Sequence, residues 1–195
     1  MIEECLKIEL TDIAFIIDGS WSVKPEGFEK VQEFLLKLIK NFDVGPKNTQ
    51  FAAVQYSGAP RKEFTFDQIR NEKDLRRYVK KMTYMGGNTA TGAALTYTLK
   101  NIFTRNGARD TAKQVAIIVT DGESLQDKVT EPAKKMRKAG VEIFAIGVGS
   151  SYNRAELEDM ATNPDSEHVF HVDNFDTILD IEREILRDVC QVTGK

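Results

Sequence analysis

Ile13-Ala14-Phe15-Ile16-Ile17-Asp18-Gly19-Ser20-Trp21-Ser22 is the stretch on which the reading of the whole chain turns. A short apolar run rich in β-branched residues and closed by Gly and Ser reads as a strand buried on both faces. A helical pattern opens just after it at Pro25, a residue suited to the first turn. Asp18, Ser20 and Ser22 therefore sit where a strand ends and a loop turns into a helix. In open α/β sheets that edge is where ligands bind.

Working outward, two other stretches carry matching chemistry. Val115 to Thr120 is a second apolar strand, and Asp121-Gly122-Glu123-Ser124 follows it. Gly86-Gly87-Asn88-Thr89-Ala90-Thr91-Gly92 is a glycine-rich loop with hydroxyls, leading into a helical pattern. A carboxylate with alternate hydroxyls is a set of hard oxygen donors. It suits Mg²⁺, or Mn²⁺, better than Zn²⁺, which prefers His and Cys. Asp and Ser are also the commonest residues of turns and helix caps. Alone, the Asp18 trio would read as a cap; Thr89 and Asp121 turn the reading to a metal. Thr91 competes with Thr89, and either could serve as the donor or, for Thr91, as a helix cap.

The rest of the chain alternates strands and helices. Strands are expected near Asp12 to Ile17, Gln50 to Tyr56, Val115 to Thr120, Ile143 to Val148 and Val169 to Val172. Lys62 to Phe66 reads as a short antiparallel edge strand. Helices are expected from Pro25, around Leu75 to Met82, over Thr91 to Phe103, over Lys128 to Ala139 and over Arg154 to Ala161. A last amphipathic helix is capped by Asp173 or Asn174, with Ile178, Ile181, Ile185 and Val189 inward. The fold class is α/β: a doubly wound, mostly parallel central sheet with one antiparallel edge strand and helices on both faces.

The 195 residues fit one domain over 1–195, with a core from about Asp12 to Cys190. Hydrophobic content of 41% and charged content of 29% are those of an ordinary globular domain. A net charge of -3 argues against nucleic acid as partner. No apolar run approaches the roughly 20 residues of a membrane span, so membrane insertion is not expected. Met1 to Leu10 is too charged and too short for a signal peptide. The chain reads as one domain of a larger multidomain protein. His168 and His171 lie at or near the last strand, away from the rim where a Ser-His-Asp triad would need one. A haloacid-dehalogenase-like hydrolase would need an acid where Ser20 stands. Gly147-Val148-Gly149 is not a dinucleotide fingerprint. No enzyme is expected.

The order Asp18-x-Ser20-x-Ser22, then Thr89, then Asp121, resembles the von Willebrand factor type A domain, also called the integrin I domain. The resemblance covers nearly the whole chain. It implies that these five residues form a metal-ion-dependent adhesion site. Ser20 and Ser22 would bind the ion directly, and Thr89 and Asp121 directly or through water. A carboxylate from a partner would then complete the shell. Asp18 to Val23, Val54 to Ser57, Phe144 to Val148 and the terminal cysteines look most similar to type A domains of extracellular matrix proteins, fibril-associated collagens first and matrilins next. Asp43 to Pro46, Asp121 to Ser124 and Ser151 to Arg154 also resemble collagen-binding integrin I domains. Those carry an extra short helix after the Tyr-Asn-Arg segment, for which the roughly fifteen residues between Arg154 and the last strand are too few.

Cys5 and Cys190 flank the fold and read either as two free thiols or as a disulfide, which the resemblance implies. In the chain-entropy model a bridge closing so long a loop would stabilise the fold by about 4–5 kcal/mol. The resemblance also implies a secreted protein of the extracellular matrix, and a movable Asp173 to Val189 segment that the bridge would tether. Trp21, Glu123, Ser124, Tyr152 and Arg154 are assigned to a ligand-binding rim. Trp21 has two readings, an exposed contact or a side chain packed against the fold, and packing is preferred. Two function classes remain. One is an adhesion module that binds a matrix protein, collagen included, through the metal. The other is a structural assembly module that uses another surface, with the metal incidental.

Overall fold

The computed structural model describes residues 10–193. Strand β1, Thr11–Asp18, is buried along its whole length and lies in the middle of a six-stranded sheet. The others are β2 (Thr49–Tyr56), β3 (Pro60–Phe64), β4 (Lys113–Thr120), β5 (Val141–Val148) and β6 (Val169–Val172). Their order is β3-β2-β1-β4-β5-β6. All neighbours run parallel except β2 and β3, which are antiparallel. The chain leaves β1 toward β2, and β4 returns on the other flank of β1. The β1–β4 seam is thus the point where the winding reverses, and a crevice opens there at the carboxyl ends of the strands.

Side-chain alternation along β1 supplies two cores. Ile13, Phe15 and Ile17 face helices α1 (Lys24–Leu38), α2 (Glu72–Lys81) and α7 (Glu182–Thr193). Ala14 and Ile16 face α3 (Thr91–Thr98), α4 (Thr130–Lys138) and α5 (Arg154–Met160). The register aligns Ala14 with Ala52 and Ala116 on the two flanking strands. That row of small side chains leaves room for α3 with its own buried Ala94. Val31, Phe34, Leu35 and Leu38 of α1 are all buried, as their spacing predicts. So are Ile178, Ile181, Ile185 and Val189 near the C-terminus.

Four local details depart from the sequence expectation. The edge strand ends at Phe64, not Phe66. Phe66 instead opens a 3-10 turn whose capping box, Thr65 with Gln68, closes both free main-chain ends. The helix expected to Phe103 widens into a π-helical turn over Leu99–Phe103. The last helix is entered through a 3-10 segment, Phe175–Ile181, capped by Asn174. A one-turn helix, α6 (Asp165–His168), stands before β6 where a loop was expected. Between β5 and α5 there is only the Gly149 to Asn153 loop. Cys5 lies outside the described residues; Cys190 is buried on α7. Among the described residues no helix is long and apolar enough to cross a membrane.

The amino end of the β1–β4 seam is clamped by charge. Asp12 is fully buried. Arg109 donates to it from its main-chain N (2.7 Å) and Nε (2.9 Å), and reaches the carbonyls of Thr11 and Asn48 (both 2.8 Å). Gln114 adds a further donor. Arg109→Met should cost about 3–5 kcal/mol, because it strands a buried carboxylate. Asp12→Leu/Arg109→Met should recover most of that loss in urea unfolding.

At the other side of the sheet, His168 Nε2 bonds Glu142 (2.7 Å) and Nδ1 donates to the Pro164 carbonyl (3.0 Å). Burial pushes the ring's pKa down. The Glu142 and Pro164 hydrogen bonds and the charges of Glu142 and Glu167 outweigh it and hold the pKa above its ordinary value. The folded state therefore binds this proton more tightly than the unfolded chain does. The resulting stability is complete below the unfolded value of 6.5 and is lost as pH rises through the raised one. Glu142→Gln should flatten that dependence in melts across neutral pH.

Candidate metal centre

Asp18 and Thr120 end adjacent strands at the same level, because Ile17 pairs with Val119. Asp18 Oδ2 accepts from Thr120 Oγ1 (2.8 Å) and Oδ1 from Ser20 N (2.8 Å). Ser22 Oγ donates to Asp121 Oδ1 (2.7 Å). Its proton is thereby committed, so Ser20 Oγ is the donor in the 3.1 Å contact between the two serines. Asp18, Ser20, Ser22, Thr120 and Asp121 thus form one cluster across the seam. The serine hydroxyls do not cap α1: that helix has no side-chain cap, and the chain enters it through Lys24 at φ 60°. The cap reading of the trio fails on this point.

The glycine-rich loop is stitched to the same rim by main-chain bonds. Gly86 N donates to Gly19 O (2.8 Å), Trp21 N to Gly87 O (2.9 Å) and Ala90 N to Ser57 O (2.9 Å). Thr89 is 5% exposed, and its carbonyl accepts from Leu125 N and Gln126 N. Its hydroxyl makes no hydrogen bond to the other four residues among the described ones. Thr91 turns away from the rim, its hydroxyl donating to Tyr56 OH inside the core (3.2 Å). Tyr84 OH holds the Ser20 carbonyl (2.9 Å).

The cluster is electrically one-sided. Among the described residues neither Asp18 nor Asp121 has a Lys or Arg ion-pair partner. Burial raises the Asp18 carboxyl against hydrogen bonds from Ser20 and Thr120. Burial pushes Asp121 up to about 6, against the Ser22 hydrogen bond and with help from the Asp18 charge. Two buried carboxylates facing hydroxyls and lacking a counter-charge fit a hard divalent cation, which would invert this balance.

A family model described as von Willebrand factor type A domain matches residues 12–184. The chain belongs to this family. It is 42% identical to matrilin-1 of Gallus gallus over 180 residues, covering 92% of this chain and 36% of that protein. It is 40% identical to the collagen alpha-1(XXI) chain of Xenopus laevis, again over 92% of this chain but 18% of that one. The type A domain thus spans about a third or less of these relatives. Among solved structures, proximal thread matrix protein 1 from the mussel byssus, with a zinc-occupied MIDAS motif, superposes at TM-score 0.87 with 29% identity. That match covers 95% of this chain and 46% of the mussel protein.

Around the centre of this type A domain the rim residues separate. Trp21 is 71% exposed, so the packed reading is corrected: the loop it rides on is pinned at both ends and leaves the indole outside. Glu123 is exposed. Ser124 turns inward: its Oγ accepts from Thr91 N (3.0 Å) and donates to Asp127 (2.6 Å). Asp127 also receives Gly92 N and Ala93 N, so this pair closes the start of α3. Tyr152 rests on His171 with ring centres 4.9 Å apart, beside β6. Arg154 is tied to Glu158 along α5 (2.8 Å). Both lie on the β5–β6 side of the rim, strands away from Asp18. His168 and His171 bond Glu142, Pro164 and Gly149, and neither bonds Ser20 or Ser22. Thr120 and Tyr84 were not singled out in the sequence. Neither carried a signal in the sequence: Thr120 joins the cluster through the β1–β4 register, and Tyr84 through its bond to the Ser20 carbonyl.

Because burial pushes the Asp121 carboxyl up to about 6, protons compete with a cation for it below that pH. The rise in melting temperature produced by Mg²⁺ should be larger above pH about 6 than below it. Asp121→Asn should remove most of that rise while leaving the EDTA-treated domain at least as stable at neutral pH. Both are read from thermal melts with Mg²⁺ or EDTA.

Proposed function

We propose that this domain is a secreted, extracellular-matrix protein-binding module, part of a larger multidomain protein. Asp18, Ser20, Ser22, Thr89 and Asp121 would hold Mg²⁺, or Mn²⁺, and a carboxylate of a matrix protein would complete the site. The observation that carries this reading is the hydrogen-bonded cluster of Asp18, Ser20, Ser22 and Asp121, with its two carboxylates lacking a counter-charge. A bound cation supplies a positive centre that an incoming carboxylate can neutralise. The chain's residues do the rest. Thr120 and the Ser20 amide fix the Asp18 carboxylate. Ser22 fixes Asp121. Tyr84 and the Gly86 to Thr89 loop fix the serine backbone. A cluster so tied changes little on binding, which limits the entropy lost.

Matrilin and collagen relatives, and a byssus matrix protein with metal in the same motif, support the matrix setting. Collagen is one candidate partner class.

The test is binding to a panel of immobilised matrix proteins, collagens included, with Mg²⁺ or EDTA. At least one should bind in Mg²⁺ and weaken about tenfold or more, at least 1.4 kcal/mol, in EDTA. Asp18→Ala, checked for folding by its melt, should behave like EDTA treatment. Equal binding in all three conditions would instead mean that partners use another surface and that the domain is an assembly module.

A further inference from the structure

Two large apolar side chains of the described residues stand clear of the surface, Trp21 at 71% and Leu125 at 76% exposure. Single exposed apolar residues are commonplace and call for no explanation. These two are not scattered. Trp21 N is bonded to Gly87 O, and Leu125 N to Thr89 O (3.0 Å). They are therefore attached to one short loop, two residues apart, at the rim of the Asp18–Asp121 cluster. Trp21 comes from the loop after β1, and Leu125 from the loop after β4.

The indole is also held in place. Gly86 has φ +70°, and a Cβ there would fall 2.9 Å from the Trp21 Nε1 and 3.0 Å from its Cδ1. The ring thus lies against bare main chain, at a position where a side chain would both strain the backbone and strike the indole. An exposed aromatic ring already held in position gives contact area at low entropy cost. Apolar groups around a charged contact also exclude water from it. That strengthens the central interaction far beyond its value at an open surface.

We infer that Trp21 and Leu125 are the specificity contacts of the metal centre, and that the partner segment presents an acidic residue with large apolar side chains within a few residues of it. This rests on the function proposed above: the acid meets the cation, and the apolar neighbours cover Trp21 and Leu125.

A random linear peptide library displayed on phage tests it, panned on the wild-type domain in Mg²⁺ and eluted with EDTA. Trp21→Ala/Leu125→Ala is panned in parallel, after its Mg²⁺-dependent rise in melting temperature is shown to match wild type. Wild type should enrich peptides with an acid flanked by Leu, Ile, Phe, Trp or Met. The double variant should keep the acid and lose the flanking preference. Synthetic copies of the enriched peptides should bind wild type about tenfold or more tightly than copies with the apolar flanks changed to Gly. They should also shift the emission of Trp21, the only tryptophan in the chain. Acid enriched without apolar flanks, or the same flanks enriched by both proteins, overturns this inference and leaves the function standing. An absence of EDTA-eluted, acid-containing peptides from both proteins removes the metal-dependent function and this inference together.

Discussion

Two like charges held close in a desolvated crevice are the constraint around which this molecule is arranged. Asp18 ends β1 and Asp121 follows the last residue of the adjacent parallel strand β4, and the register that levels Asp18 with Thr120 brings both carboxylates to one seam whatever their mutual repulsion. The sheet can impose this because β1 is buried from end to end and paired on both sides. Hydroxyls and one amide then soften the repulsion without neutralising it. A site built this way does not serve folding stability, since the same positions filled by neutral side chains would cost less to bury.

The contrast with the opposite end of the same seam is instructive. There Asp12 is equally buried, but Arg109 and Gln114 surround it with donors and the charge is fully matched. One end of the β1–β4 seam is therefore closed by an internal ion pair, and at the other two carboxylates have no Lys or Arg partner among the described residues. The open end receives its remaining support from loops. Tyr84 and the Gly86 to Thr89 main chain grip the serine loop. Ser124, assigned to the rim from the sequence, is spent together with Asp127 on the amides of α3. Trp21, Glu123 and Leu125 are among the residues of these loops that face outward.

Much of the fold was legible because its signals are local and repeated. Continuous apolar runs mark buried parallel strands, and helical spacing marks α1, α2 and the C-terminal segment. The misjudged pieces are those where one side chain bonds its own neighbourhood. Thr65 and Gln68 end the edge strand early, and the turn at Asp165–His168 is one turn long, too short for periodicity to register. Trp21 was misread for a different reason. A tryptophan is usually covered on average, and no pattern in the chain tells that the loop carrying it is pinned with the ring outward.

From the sequence alone came the strand-helix alternation, the cation-type oxygen donors and the order in which they recur, because each depends on residues a few positions apart. The tertiary structure alone decided that Thr120 levels with Asp18, that Ser22 reaches Asp121 ninety-nine residues away, that Ser124 faces in, and that Trp21 and Leu125 share a rim. These depend on strand register and on main-chain bonds between distant loops, and neither leaves a periodic trace in the chain.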